Sequence, residues 1–284
     1  MPRLEIRPFS AEFVRDAGDV LAARHRAHRA AEPLLPERFE DPATAAAEVE
    51  TLLGSEEASG AVALHGSRFV GYLLGVRRSD EIWGPNVWVE VAGHAVEEPE
   101  DARDLYGAAA GRWVEEGRVR HYAVVPATDA ALLGAWARMC FGQQHAFGIR
   151  KVPDVPTPVS VPHPTVADLE PLLELSPLLA DHQAGSPVCR IVGAFRIVPV
   201  ERSSMHDSLA RPEGAALLDW AATRPEVRGT GAGLALTEAS FAWARERGHE
   251  TMVTDWRVTN LLASRFWPAR GFRPTFLRLY RHIP

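Results

Sequence analysis

Gly229, Gly231 and Gly233 alternate along the chain directly after Arg228. Glycine carries no Cβ, so a ligand can come close to the backbone of such a loop. Upstream, the apolar run Ala215–Ala222 reads as a strand. Downstream, Leu234–Arg247 reads as a helix. The loop therefore stands at a helix N-terminus, where the first amides are unpaired and the helix dipole is positive. Strand, bare loop and helix start together make a seat for a phosphate group. The N–H groups from Val227 to Gly233 are its candidate ligands. The Arg228 guanidinium could add a charged hydrogen bond of ~1.5–3 kcal/mol.

Three ligand classes compete for that seat. A nucleotide-hydrolase loop needs a lysine followed by Ser or Thr after its last glycine; none is present here. A dinucleotide site needs Gly-x-Gly-x-x-Gly, and Leu234 stands where the third glycine belongs. The third class rests on a likeness. Val227-Arg228-Gly229-Thr230-Gly231-Ala232-Gly233 resembles the Arg/Gln-x-x-Gly-x-Gly/Ala signature of the GCN5-related N-acetyltransferases. The run from Asn260 through Ala263 to Trp267, then Gly271-Phe272, is similar to that family's final Asn-x-x-Ala helix and its Gly-Phe turn. The likeness covers Gly214 to Tyr280.

That resemblance implies acetyl-CoA as the cofactor, CoA as product, and transfer of an acetyl group to a primary amine of a small molecule or a peptide. It implies pyrophosphate on the loop amides, and pantetheine along the backbone that includes Ala221, Ala222 and Thr223. It places Asn260 on or near the pantetheine arm, unless Asn260 or Thr259 simply caps the helix. Family members commonly take the amine proton with a carboxylate. Asp219, on the strand before the loop, is the first candidate, and Asp255, at the end of the next strand, is the second. Alternation puts Asp219 on one face with Ala215 and Leu217. The bland reading of Asp255 is a partner for Arg257 or a turn-starter. Family members commonly protonate the leaving sulfur with a tyrosine of the last helix. Trp267 stands at that position, and an indole N–H is too weak an acid for that job. Trp267 is expected to pack against the cofactor or the core; Trp220 and Trp256, which flank the candidate acids, are expected in the core rather than in an aromatic substrate cage. The absent tyrosine motivates an alternative, a CoA-binding regulatory or scaffolding protein without turnover. His206 and Asp207 are expected on a surface loop.

The remaining composition narrows the class. The chain has 284 residues, 46% apolar and 24% charged, which suits a globular protein of two domains. A net charge of −6 argues against a general nucleic-acid binder. Cys140 and Cys189 form no disulfide framework, and a reducing cytoplasm is expected. The first ten residues lack a signal-peptide core. No apolar run approaches the roughly 20 residues of a membrane helix, and no spacing marks a metal site. Oligomeric state is open; a homodimer is possible.

The elements that must position these residues recur. Five prolines between Lys151 and Thr165 read as a linker. Across it, a shift of 131 residues brings Gly117 onto Gly248, Asp129 onto Asn260, Trp136 onto Trp267 and Phe141 onto Phe272. The expected architecture is mixed α/β, with two tandem domains of the GCN5-related type. A degenerate one spans 1–152, a Pro-rich linker or first strand 153–164, and the acyl-CoA-binding one 165–284. In the first half, Arg3–Arg7, Ala61–Leu64, Phe69–Gly75, Asn86–Val96 and His121–Val125 read as strands. Ala11–Arg29 and Asp101–Glu116 read as helices, as does the stretch ending at Met139. In the second half, Gly214–Thr223 and Thr251–Asp255 read as strands. Leu236, Ala239 and Trp243 mark the expected buried face of the long helix. The first half's counterpart of the glycine loop, Glu97 to Ala102, has no glycine and four acids. Like charges this close to a phosphate cost ~1 kcal/mol each even in water, so the cofactor is expected in the second half alone.

Overall fold

A computed structural model describes residues 4–80, 84–155 and 193–283, with 161, 165, 168, 172 and 173 between the last two stretches. Cys189 and most of the expected linker lie outside the described residues. The N-terminal half runs β1 (Leu4–Pro8), α1 (Val14–Ala31), α2 (Pro42–Leu53), β2 (Ala58–His65), β3 (Arg68–Asp80), β4 (Gly84–Val89) and β5 (His94–Val96). It continues through α3 (Asp101–Glu115), β6 (Arg120–Pro126), α4 (Ala130–Arg138) and β7 (Gly142–Lys151). The C-terminal half supplies β8 (Gly193–Pro199), β9 (Ala216–Thr223), α5 (Ala232–Glu246), β10 (Thr251–Arg257), α6 (Leu261–Ala269) and β11 (Arg273–His282).

All these strands join one mixed sheet in the order β1-β2-β3-β4-β6-β11-β7-β10-β9-β8, with β5 on β3. The last strand of each half is exchanged: β7 lies between β11 and β10, and β11 lies between β6 and β7. Helices cover both faces. On one, Leu105 and Trp113 of α3, Trp136 of α4, Phe241 of α5 and Trp267 of α6 pack over Val87, Ala123, Ala216 and Met252. On the other, Leu21 of α1 and Val49 of α2 pack over Tyr72, Val124, Phe147 and Phe276. Each fully buried large apolar side chain contributes ~1.5–3 kcal/mol. Gly148 of β7 must be bare, because a Cβ there would lie 2.4 Å from the Trp256 ring of β10.

The expected repeat is present element by element. α3, β6, α4 and β7 lie 131 residues before α5, β10, α6 and β11. Gly117 and Gly248, with φ of 76° and 77°, end the two long helices alike. The parallel pairs correspond too: β4–β6 ends on Val89–Ala123 and β9–β10 on Leu218–Thr254.

Four expectations need correction. Asn86–Val96 is not one strand; a tight turn, Gly93 N–H to Glu90 O at 2.8 Å, divides β4 from β5. The strand expected at Gly214 starts at Ala216, because Gly214 adopts a positive φ of 63°. Alternation breaks at Asp219, the extra residue of a bulge between the Arg196–Trp220 and Ile197–Leu218 pairs. The fully buried stripe of α5 is Thr237, Ser240, Phe241 and Ala244, while Leu236, Ala239 and Trp243 are half-buried. Burial of Thr237 and Ser240 is tolerated because their hydroxyls donate to Gly233 O and Leu236 O, at 2.8 and 2.7 Å.

Candidate active site

β9 continues past its last rung with β10, paired only to β8 from Trp220 to Thr223. A gap therefore opens between β9 and β10, bounded at its head by Asp219 and Asp255. Ala221, Ala222 and Thr223 border it and are half-buried. A single turn, Pro225–Val227, then leads to Arg228, Gly229, Thr230 and Gly231, all exposed. Gly229 and Gly231 have φ of 83° and 97°, a region that costs other residues dearly, and a Cβ on either would meet nothing within 4 Å. Gly231 is the N-cap of α5. The first bond along that helix is Ala235 N–H to Gly231 O, at 2.9 Å. The amides of Ala232, Gly233 and Leu234 precede it and are left for a ligand or water. The first turn of α5 carries no acid, whereas that of α3 carries Asp101 and Asp104. The residues present thus fit a diphosphate group: bare backbone, open space and a positive helix end with no opposing charge.

The helix beyond the gap is fixed by Asn260, whose Oδ1 accepts from Leu262 N and Ala263 N at 3.1 and 3.2 Å. The capping role expected as the alternative is therefore present. Trp267 is buried, edge-on to Phe266 and Phe272 and 5.9 Å from the Phe195 ring. It is a core residue, as is Trp256; Trp220 is half-buried.

The two candidate acids differ in setting. Asp219 is ion-paired to the exposed Arg196. Asp255 faces His145, with Nε2 3.0 Å from Oδ2, rather than pairing Arg257. His145 Nδ1 lies 2.7 Å from Arg278 Nη2, and Arg278 Nε donates to Gln144 Oε1 at 2.9 Å. Burial holds the His145 imidazole below its usual pKa, against the pull of Asp255. His206 is not on the surface. It is 1% exposed, its ring lies 4.9 Å from that of Phe147, and both Asp255 and Asp219 act on it electrostatically. Burial depresses its pKa as well. Asp207 next to it is exposed, as expected. Sequence reasoning missed His145 and Arg278, which strand exchange brings to Asp255 from distant positions.

Among the described residues no cluster of His, Cys, Asp and Glu could hold a metal, and no helix is long and apolar enough to cross a membrane.

A splayed parallel pair with a glycine loop and helix start beyond it is the local arrangement this α/β fold presents. Residues 156–272 match the model of the acetyltransferase (GNAT) family. The match lies in the C-terminal half, and the whole chain has a tandem GNAT fold. A GCN5-related N-acetyltransferase from Sphaerobacter thermophilus superposes with a TM-score of 0.61 at 13% identity, over 98% of this chain and 95% of that one. A tandem GNAT protein from the clavulanic acid biosynthesis pathway gives 0.50 at 16% identity, over 99% and 98%. A glucosamine N-acetyltransferase region of a fungal multi-domain β-N-acetylglucosaminidase gives 0.55 at 13% identity, over 99% of this chain and 38% of that protein. At these identities the likeness is one of fold. No curated protein sequence matches the chain.

Proposed function

We propose that this protein transfers an acetyl group from acetyl-CoA to a primary amine, with its active site in the C-terminal half. The glycine loop at the start of α5, opening onto the gap between β9 and β10, carries this reading. The amides of Ala232, Gly233 and Leu234, with the Arg228 side chain, would hold the diphosphate, whereas those of Val227, Arg228 and Thr230 already donate to Arg224 O, Pro225 O and Val227 O. The β9 backbone from Asp219 to Thr223 would pair with the pantetheine amides, and the Asn260 amide nitrogen would border the arm. Bound acetyl-CoA supplies an acyl carbon activated as a thioester. The amine nitrogen bonds to that carbon as the carbon–sulfur bond breaks; the nitrogen loses one proton and the sulfur gains one. Asp255 is the better placed acceptor for the amine proton, because the Asp219 carboxylate is held by Arg196. With Trp267 in the core, the proton on sulfur comes from water or another side chain, or the thiolate leaves as an anion and is protonated in solvent.

The test pairs calorimetry with an assay of thiol release. CoA should bind with one site per chain. Gly231→Asp should abolish binding, because it adds strain at φ 97° and a negative charge at the phosphate seat. Thiol release from acetyl-CoA should appear with at least one amine of a panel of glucosamine, spermidine and a lysine peptide. Binding without release across wide amine panels would favour the non-catalytic CoA-binding reading, which the absence of a phenol at residue 267 supports. Undiminished affinity in Gly231→Asp would remove the loop from the site.

A further inference from the structure

His145 belongs by sequence to the N-terminal half, yet it stands in the site of the C-terminal half. β7 carries it there by pairing antiparallel with both β10 and β11. Across β7 and β11 it lies directly opposite Arg278. Across β7 and β10 it lies opposite Arg257, two residues beyond Asp255. The three side chains make one hydrogen-bond chain.

The protons in that chain are fixed by chemistry. A guanidinium donates and never accepts. His145 Nδ1, 2.7 Å from Arg278 Nη2, must therefore be the bare, accepting nitrogen. A neutral ring with a bare Nδ1 carries its proton on Nε2, and Nε2 is the atom 3.0 Å from Asp255 Oδ2. The ring thus donates to the carboxylate and cannot take a proton at either nitrogen without breaking a bond. Asp255 Oδ2 is committed to it, and Oδ1 is the oxygen open to an incoming proton. Neither end is sealed, since the His145 and Asp255 side chains keep 11% and 18% of their surface.

The repeat supplies an internal control. Shifted by 131 residues, Asp255 falls on Val124, His145 on Phe276 and Arg278 on Phe147. The strand pairs correspond as well: Asp255–Phe147 matches Val124–Arg278. The N-terminal counterpart of the chain is therefore wholly apolar, and Val124, Phe147 and Phe276 are buried in one cluster. Two sites of one backbone design differ in this trio, and the polar trio sits in the half that carries the glycine loop. A merely architectural need at these positions would be met equally well by the apolar set.

We infer that His145 is a positioning residue, lent by the N-terminal half, that aims the Asp255 carboxylate for the amine proton while Arg278 locks the ring. This rests on the acetyl-transfer reading of the C-terminal site. In the reaction the amine nitrogen gives its proton to Asp255 Oδ1, and His145 keeps both of its hydrogen bonds throughout. The charged or titratable groups around Asp255 are His145 from β7, Arg278 from β11, Arg257 from β10, Asp219 from β9, and His206.

Nuclear magnetic resonance on the full chain, with labelled histidine nitrogens and aspartate carboxyl carbons, tests it. His145 should show a bare Nδ1 and a protonated Nε2 at pH 7.5. In His145→Leu, the Asp255 carboxyl carbon resonance should move, because the hydrogen bond to Oδ2 is lost. With the panel amine that gives turnover, kcat of His145→Leu should fall about tenfold or more. KM for acetyl-CoA should stay within twofold. His145→Gln, which can accept from Arg278 and donate to Asp255, should recover most of the loss. The opposite tautomer, an unmoved Asp255 resonance or an unchanged kcat in His145→Leu would overturn the inference. Absence of thiol release with every amine would instead defeat the acetyl-transfer reading, while the resonance measurements still decide what His145 does to Asp255.

Discussion

Arg24 and His94 tie together, in the N-terminal half, the strands that border the counterpart of the C-terminal gap, beside a cavity lined by Arg24, Glu97, Pro126 and Asp129. Arg24 reaches from α1 and donates to His94 O and to Val91 O, the latter at 2.6 Å. His94 Nε2 bridges from β5 to Val124 O of β6 at 3.0 Å. Tyr72 donates to Ala92 O at 2.6 Å. Side chains thus take up backbone acceptors along the edge that faces the gap. The Arg24 guanidinium is buried deeply enough to bring its pKa down to about 10.

Coenzyme A should therefore find no second site in this half. Glu97→Lys combined with Glu98→Lys, both on the surface before α3, should leave the affinity and the single-site stoichiometry unchanged in calorimetry. Arg24→Met should weaken the fold by ~1–3 kcal/mol, because buried carbonyls lose their donor, without creating a site. A second molecule bound in either variant would show that charge or the guanidinium alone had excluded it.

The same region sets the response to acid. Burial brings His25 and His121 to about 4, and His28 and His94 to about 3. Each ring is neutral in the fold and takes a proton in the unfolded chain once pH falls below about 6.5. The unfolded chain then binds more protons, so stability falls as pH drops from about 6.5 towards 4. Each ring contributes a slope of up to ~1.4 kcal/mol per pH unit. Glu90 acts the other way, since burial raises its carboxyl and the folded state holds that proton longer. Urea unfolding between pH 7 and 5 should show the histidine effect as a net uptake of protons. A stability independent of pH across that window would contradict the neutral, buried rings.

The glycine loop was legible because it is local: Gly229 and Gly231 need positive φ, and their spacing before an apolar periodic run marks a helix start. The repeat was legible because its elements keep one offset and its caps keep their chemistry at Asp129 and Asn260. β7, β8 and β11 were not anticipated, because what makes each a strand is its partners in the sheet. Asp219 was misplaced for a related reason: alternation counts residues and cannot see a bulge. His145 carries no local mark at all. Its only trace in the sequence is that Val124, Phe276 and Phe147 become Asp255, His145 and Arg278 under the repeat and its strand exchange. That trace can be read only once β7 and β11 are known to change places.

Asn260 can be tested for two roles that fall on different atoms. Its Oδ1 caps α6, bonding Leu262 N and Ala263 N. Its Nδ2 is the group available to a pantetheine carbonyl. Asp129 caps α4 at the equivalent place with a carboxylate, accepting from Leu132 N at 2.9 Å, so an acid is compatible with this turn. Asn260→Asp should keep the cap, and its charge suits a helix N-terminus. It should cost no stability in thermal melts. Asn260→Ala should cost ~1 kcal/mol. Both variants lack the amide donor, so both should bind CoA about 2–10-fold more weakly, the equivalent of one ordinary hydrogen bond of ~0.5–1.5 kcal/mol. Weaker binding in Asn260→Ala alone would mean that the residue serves the cofactor only by holding the helix. Equal affinity in all three proteins would remove Asn260 from the binding site and leave it a cap, the role Asp129 fills in the other half.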